Sequence, residues 1–377
     1  MLGRHAGQRG KMSSFASAGH TVPTRYWTRL GDGRVRCDLC PRLCRLRDGQ
    51  RGMCFVRASR GGRIVLTTYG RSSGFCVDPI EKKPLNHFLP GTAVLSFGTA
   101  GCNLACRFCQ NWHISKSREM DTLGEEASPG SIARAALDLD CRSVAFTYND
   151  PVVFHEYAID VASACRELGV GTVAVTAGYV LPEPRAEFYR WMDAANVDLK
   201  GFTDRFYRNL TAGQLEPVLD TLRYIRHETD TWLEITTLLI PGANDSDQEI
   251  DALTSWVVEE LGPDVPLHFT AFHPDWRMRD TPVTSASSLS RARVIALGNG
   301  VRFAYTGNVR DPVGQTTRCP GCGHVLIERD GYALLAWGLV GAGRCAGCGA
   351  TCAGVFESHP GKWGFRRRPV SMRDYLP

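Results

Sequence analysis

Between residues 93 and 304 the chain alternates short apolar runs with longer amphipathic stretches. The runs are Val94–Phe97, Ser143–Thr147, Thr172–Thr176, Asn196–Leu199, Trp232–Ile240 and Leu267–Ala271. Between them, Ile132–Leu139, Val152–Leu168, Pro184–Met192, Leu219–His227 and Glu249–Leu261 repeat their apolar residues at helical spacing. Short continuous apolar runs bounded by turn residues read as buried strands, and the longer periodic stretches read as helices. Ser128 followed by Pro129 supplies an N-cap and a first-turn proline for the first helix. Strand–helix alternation predicts a parallel sheet with right-handed crossovers. Six such units predict an α/β fold, a partial (β/α)6 TIM-type barrel. Its active site is expected at the C-terminal ends of the strands.

At 377 residues the chain has room for one large α/β domain and a smaller appendage. No apolar run reaches the roughly 18 to 20 residues of a membrane span; the longest candidate, Tyr332–Val340, falls well short. The start, rich in Gly, Ser and Arg, lacks the apolar core of a secretory signal. A disordered segment over 1–22 and a cytoplasmic protein are the expectations. The net charge of +5 hides a basic front end, up to Arg71, followed by a net acidic remainder. Such a front end suits nucleic acid, an acidic partner or plain solvation. Without interleaved aromatic residues the solvated surface is the preferred reading, and nucleic acid is not expected.

The fifteen cysteines change the picture most. In a chain with no secretory signal, metal ligation comes before disulfides as their explanation. Eleven of them fall into three groups: Cys37, Cys40, Cys44 and Cys54; Cys102, Cys106 and Cys109; and Cys319, Cys322, Cys345 and Cys348. Cys76 is left unassigned, as a candidate core residue, and Cys352 is read as a bystander.

The central group is C-x3-C-x2-C and directly follows an apolar strand, with Gly98 and Gly101 loosening the chain into a loop. Electron-transfer clusters take four cysteines. Three thiolates would hold three corners of a four-iron cluster and leave one iron open, as catalytic metal sites keep a free position. The competing reading is a zinc knuckle completed by a residue such as His113. The x3-x2 spacing and Phe108, an apolar wall before the third cysteine, favour the cluster.

With these residues in view, the chain resembles the radical S-adenosylmethionine superfamily, and within it the pyruvate-formate-lyase-activating-enzyme-like branch. It is most similar to the radical SAM member of the AmmeMemoRadiSam system. The stretches that carry the resemblance are Asp78–Pro84, the cysteine loop, Thr147–Pro151, Val197–Phe202, Thr236–Gly242, Phe272–Pro274 and Tyr305–Asn308. The resemblance implies a [4Fe–4S] cluster on Cys102, Cys106 and Cys109 that reductively cleaves S-adenosylmethionine. The resulting 5′-deoxyadenosyl radical would abstract hydrogen from a substrate. An electron donor such as flavodoxin or ferredoxin is implied as a partner, together with proteins of the AmmeMemoRadiSam system.

The same resemblance points to cofactor contacts at Phe108, Thr147, Asn149, Asp150, Asp198, Lys200, Glu234 and Asn244. Each has a plainer alternative. Asn149-Asp150-Pro151 is also a good helix cap. Asp198 and Lys200, two apart on a strand, face one side and also make a structural ion pair. Asn244 lies among turn residues. His273 and Asn308 follow late strands and are the substrate candidates, though a His before Pro is also a common packed turn residue. Val175 and Ala177 stand where activating enzymes carry polar residues, which speaks against an activase-type monovalent cation.

The N-terminal group suits structural zinc or a second cluster, with zinc the preferred reading. The C-terminal group, two C-x2-C pairs each followed by Gly, reads as a zinc ribbon. The expected domains are a Cys-rich element over 23–90, the barrel over 91–310, the ribbon over 311–360 and a solvated tail over 361–377. Two further function readings stay open: an activase acting on the backbone of a glycyl-radical enzyme, and a non-catalytic zinc-binding adaptor for protein or RNA.

Overall fold

The computed structural model describes residues 20–116 and 123–375. Its centre is one nine-stranded sheet. In chain order the strands are β1 (Phe75–Pro79), β2 (Ala93–Phe97), β3 (Ser143–Phe146), β4 (Gly171–Thr176), β5 (Ala194–Asp198), β6 (Trp232–Leu239), β7 (Leu267–Ala271), β8 (Ala304–Gly307) and β9 (Arg368–Val370). Strands β2 to β8 lie side by side in sequential order, each parallel to the next. At one edge β1 runs antiparallel to β2, and β9 antiparallel to β1. The helices are α1 (Pro129–Asp138), α2 (His155–Glu167), α3 (Pro182–Tyr189), α4 (Glu216–Glu228), α5 (Asp247–Trp256) and α6 (Ala286–Gly298).

Local chemistry explains where these elements begin. Ser128, Ser246 and Ser285 each accept a hydrogen bond from the backbone amide three residues on, at 3.1, 3.2 and 3.1 Å, and so cap α1, α5 and α6. The crossover from β3 to β4 is held by aromatic packing. Phe97 of β2 meets Phe146 of β3 and Tyr157 of α2 edge-on, with ring centroids at 5.6 and 5.7 Å. All three rings are fully buried, and each contributes about 2–3 kcal/mol of apolar burial.

Three expectations change. The parallel run has seven strands, not six, because Ala304–Gly307 adds a short last strand beyond α6. A four-residue strand carries too little pattern to be read alone. Second, Arg368–Val370 of the expected solvated tail joins the sheet, and Met372 behind it is fully buried. An edge strand contributes backbone hydrogen bonds while its side chains stay in water, so three arginines in a row conceal it. Third, of the start read as disordered, Val22 pairs with Leu66; residues 1–19 lie outside the described residues.

Candidate functional site

The loop after β2 turns at Gly101, whose φ of +77° belongs to the left-handed region. A Cβ there would collide with the carbonyl oxygen of Cys54. Cys106 is buried, and Cys102 and Cys109 are partly so. Phe108 packs against Phe206 with ring centroids 5.8 Å apart, forming an apolar wall. Lys116 donates to the Leu104 carbonyl and pins the loop from its far end.

Asn149 is the brace of this loop. Its Oδ1 accepts from the Thr99 amide at 2.9 Å, and its Nδ2 donates to the carbonyls of Gly101 and Ala100 at 2.8 and 3.2 Å. Gly98 leaves the room for it, since a Cβ there would strike Asn149 and Thr147. The neighbouring Asp150 caps the turn Pro151–Phe154 by accepting from the Val152 amide at 3.0 Å. Its other oxygen accepts from the Ala177 amide at 2.9 Å. Burial pushes the Asp150 carboxyl up, against these donors. Thr147, at the end of β3, is buried beside them.

Asp198 ends β5, Lys200 follows two residues on, and the two pair at 2.8 Å. Burial drives the Lys200 ammonium down, but the Asp198 carboxylate and the Cys106 thiol beside it outweigh that and hold it above its ordinary range. A fixed positive charge therefore sits next to the cysteine loop. Asn244 is spent on the turn after β6. It accepts from the Ile240 amide at 2.7 Å and donates to the Lys200 and Leu238 carbonyls at 2.8 and 2.9 Å.

Glu234 does not stand at a strand end. It is the third residue of β6, fully buried, with four donors of the chain on its two oxygens. These are the amides of Asn86 and His87 at 2.9 and 2.7 Å, Trp232 Nε1 at 3.0 Å and His268 Nε2 at 2.7 Å. Burial raises the carboxyl, and His268 together with the other donors brings it below the usual range. It anchors the β1–β2 connection inside the fold. Asn196 fastens the same connection by donating to the Pro84 carbonyl at 2.8 Å.

A cavity of about 560 Å³ opens beside this connection, lined among others by Glu81, His268, Asn308, Arg310 and Arg329. Asn308 reaches it; His273, although exposed, is absent from its lining. Two lining residues escaped the sequence reading. Glu81 is buried, its Oε1 accepts from the Gly91 amide at 2.7 Å, and its Oε2 has no partner. Arg329 is 1% exposed and comes from the C-terminal segment. It donates to the Asn86 carbonyl at 2.7 Å, while its Nε has no partner. Glu81 lies within the Asp78–Pro84 stretch, so a signal existed for it. Nothing local to Arg329 distinguishes it from a surface arginine.

Burial raises the Glu81 carboxyl to about 7. In the unfolded chain it titrates near 4.5, so the folded protein holds a proton there that the unfolded chain releases between about pH 4.5 and 7. Below that window Glu81 costs nothing; through it stability falls, and the loss reaches about 3 kcal/mol above pH 7. Glu81→Gln is expected to remove this slope, and urea denaturation at pH 5 and pH 8 measures it. Equal slopes in both proteins would contradict the assignment.

At the C-terminus Cys319, Cys322, Cys345 and Cys348 converge, with all four sulfurs within 4.8 Å of one another. Cys319 and Cys348 approach to 3.6 Å, and Cys322 and Cys345 to 3.7 Å. Gly323 and Gly349, directly after the second cysteine of each pair, adopt φ of +74° and +76°. Their amides donate to the Cys319 and Cys345 carbonyls, both at 2.9 Å, so the two turns have the same construction. The arrangement can hold a metal ion. Cys352 lies outside the group, its sulfur 3.9 Å from His87 Nδ1, and Cys76 is a buried residue of β1.

The three sulfurs of the cysteine loop are not gathered in this way. Among the described residues the C-terminal set is the only group of three or more Cys, His, Asp or Glu whose ligand atoms all lie within 4.8 Å. Three thiols not all within 4.8 Å of one another, an apolar wall and a nearby ammonium are compatible with an iron–sulfur cluster.

Comparison with known proteins agrees. Residues 97–253 match the family described as the Radical SAM superfamily. An uncharacterized protein of Methanocaldococcus jannaschii is 38% identical over 304 residues, 81% of this chain and 90% of that protein. The pyruvate formate-lyase-activating enzyme of Clostridium pasteurianum is 25% identical over 170 residues, 44% of this chain and 69% of that enzyme. Among solved structures, a radical SAM methyltransferase from Sphaerobacter thermophilus is 16% identical with a TM-score of 0.47, covering 76% of this chain and 77% of that one. The matched region begins at the last residue of β2 and takes in the cysteine loop, its Asn149 brace and the Asp198–Lys200 pair, and the chain belongs to the radical SAM superfamily.

Proposed function

We propose that the protein is an enzyme that cleaves S-adenosylmethionine reductively at Cys102, Cys106 and Cys109 and uses the radical on a substrate bound in the cavity beside Glu81 and Arg329. The observation that carries this reading is the braced three-cysteine loop after β2, next to Lys200. Membership of the superfamily implies a [4Fe–4S] cluster and S-adenosylmethionine. When bound, the cluster supplies the electron that splits the cofactor into methionine and a 5′-deoxyadenosyl radical.

The chain's own groups then divide the work. The three thiolates hold the cluster and leave one iron for the cofactor. Phe108 and Phe206 keep water from it. Lys200, kept protonated by Asp198, offers a positive charge to the anionic cluster or the cofactor carboxylate. Asn149, Asp150 and Asn244 fix the loops on which these groups stand, and Thr147 closes the same strand end. Asn308 and the unpartnered atoms of Glu81 and Arg329 offer a polar substrate donors and acceptors inside the cavity. The sequential parallel order of β2 to β8 supports reading the sheet as a partial barrel with the loop at its C-terminal mouth. The C-terminal cysteines suit zinc, by their tetrahedral-scale spacing. A small electron-transfer protein such as flavodoxin or ferredoxin would supply the reductant.

A second reading makes the substrate a protein backbone. It is favoured by relatives described as activating enzymes for pyruvate formate-lyase and for 4-hydroxyphenylacetate decarboxylase. The buried Glu81 and Arg329 side chains in the cavity's lining favour a small polar substrate instead.

The test is anaerobic reconstitution with iron and sulfide, then dithionite and S-adenosylmethionine, with chromatography for 5′-deoxyadenosine. Its formation is expected. A reconstituted protein that binds iron and sulfide and yields none would overturn the reading.

A further inference from the structure

We propose that Cys37, Cys40, Cys44 and Cys54 hold an iron–sulfur cluster rather than a zinc ion. The proposal concerns a metal site and stands whether or not the cleavage chemistry above is correct.

The four thiols line one cavity of about 20 Å³, together with Gly52, Arg57 and Asn103. They converge from separate elements. Cys37 ends the strand Val35–Cys37, Cys40 and Cys44 follow in the next turn, and Cys54 precedes the strand Arg57–Arg60.

Sulfur spacing separates the two metals. A zinc ion bonded tetrahedrally to four thiolates at about 2.3 Å draws the sulfurs to roughly 3.8 Å from each other. The C-terminal cysteines of this same chain have that spacing, at 3.6 and 3.7 Å in two pairs. The N-terminal four do not, since no three of them come within 4.8 Å of one another. In this they match Cys102, Cys106 and Cys109, where the family implies a cluster. A cubane binds each thiolate at a different corner, so its ligands are spread by the width of the whole cluster.

Gly52 borders the same small space as the thiols: a Cβ there would stand 3.7 Å from the Cys44 sulfur and 3.8 Å from that of Cys54, in ordinary contact with both. A nest collapsed around one zinc ion has no use for a cavity large enough for a water-sized body.

The position of the group adds a role. The Cys54 carbonyl packs against Gly101, and Asn103 lines the cavity while its carbonyl accepts from Arg42 Nε at 2.8 Å. Asn103 is the residue after Cys102. One stretch of loop thus forms the wall between the two cysteine sites.

Metal and sulfide analysis of the full chain, reconstituted anaerobically, tests the proposal. About eight irons and eight sulfides per chain are expected, with one zinc at the C-terminal group. Four irons or fewer, with two zinc ions or with one, overturn it. The Cys102→Ala, Cys106→Ala, Cys109→Ala triple variant is expected to keep about four irons and a reduced-cluster electron paramagnetic resonance signal, while losing 5′-deoxyadenosine formation. A folded triple variant without iron overturns the proposal. Should that variant not fold, the wild-type stoichiometry decides alone. Eight irons with no cofactor cleavage would sink the proposed function and leave this site standing.

Discussion

Cys106→Ala is expected to reduce 5′-deoxyadenosine formation below detection while leaving the fold in place. Cys106 is the most buried of the three loop cysteines, and Lys200 heads the influences that oppose the rise burial gives its thiol. Losing this corner leaves a two-thiolate site, which does not retain a cubane. The fold tolerates the change for a definite reason. The loop is pinned by Asn149 to the Ala100 and Gly101 carbonyls and by Lys116 to Leu104, not by the thiol itself. Far-ultraviolet circular dichroism should match the wild type, while iron content drops by about four per chain. Full activity in this variant would refute the assignment of the loop.

Arg57→Ala should cost about 3–5 kcal/mol of stability, the largest loss expected from a single substitution of a residue other than the cysteines themselves. Arg57 is 1% exposed and pairs through both terminal nitrogens with Glu156 of α2, a residue 99 positions on. Its Nε also donates to the Val153 carbonyl at 3.1 Å. The Glu156 carboxyl, which burial would raise, is held below its usual range by Arg57. Removing the guanidinium leaves that carboxylate buried and unpaired, and it must then take up a proton or draw in water. Arg57→Ala combined with Glu156→Gln should recover part of the loss, because no uncompensated charge remains. Urea denaturation of the single and double variants reads both numbers. A loss under about 1 kcal/mol would place the pair among the weak surface bridges.

The strand pattern was legible because a parallel sheet covered on both faces demands continuous apolar runs. Val94–Phe97, Ser143–Thr147 and Leu267–Ala271 have no competing interpretation of that length. The start of α1 was legible from Ser128 and Pro129, whereas α6, capped by Ser285, was not among the predicted helices. The seventh strand and β9 were not. Ala304–Gly307 is short, and Arg368–Val370 contributes only backbone to an edge. The candidate contacts at Asn149, Glu234 and Asn244 show a different boundary. Their residue types were noticed, but which groups their side chains meet depends on partners from 2 to 148 positions away.

The sequence by itself determined the alternating architecture and the three cysteine groups, because periodicity and ligand spacing are local properties of the chain. Only the tertiary structure decided that the C-terminal sulfurs close to zinc-like separations while the N-terminal four surround a cavity. It alone brought Arg329 of the C-terminal segment beside Asn86 of the β1–β2 connection. The reason is physical. Spacing along the chain fixes which thiols can meet, but the distance at which they stop is set by the residues packed around them, here Gly52, Arg57 and Asn103.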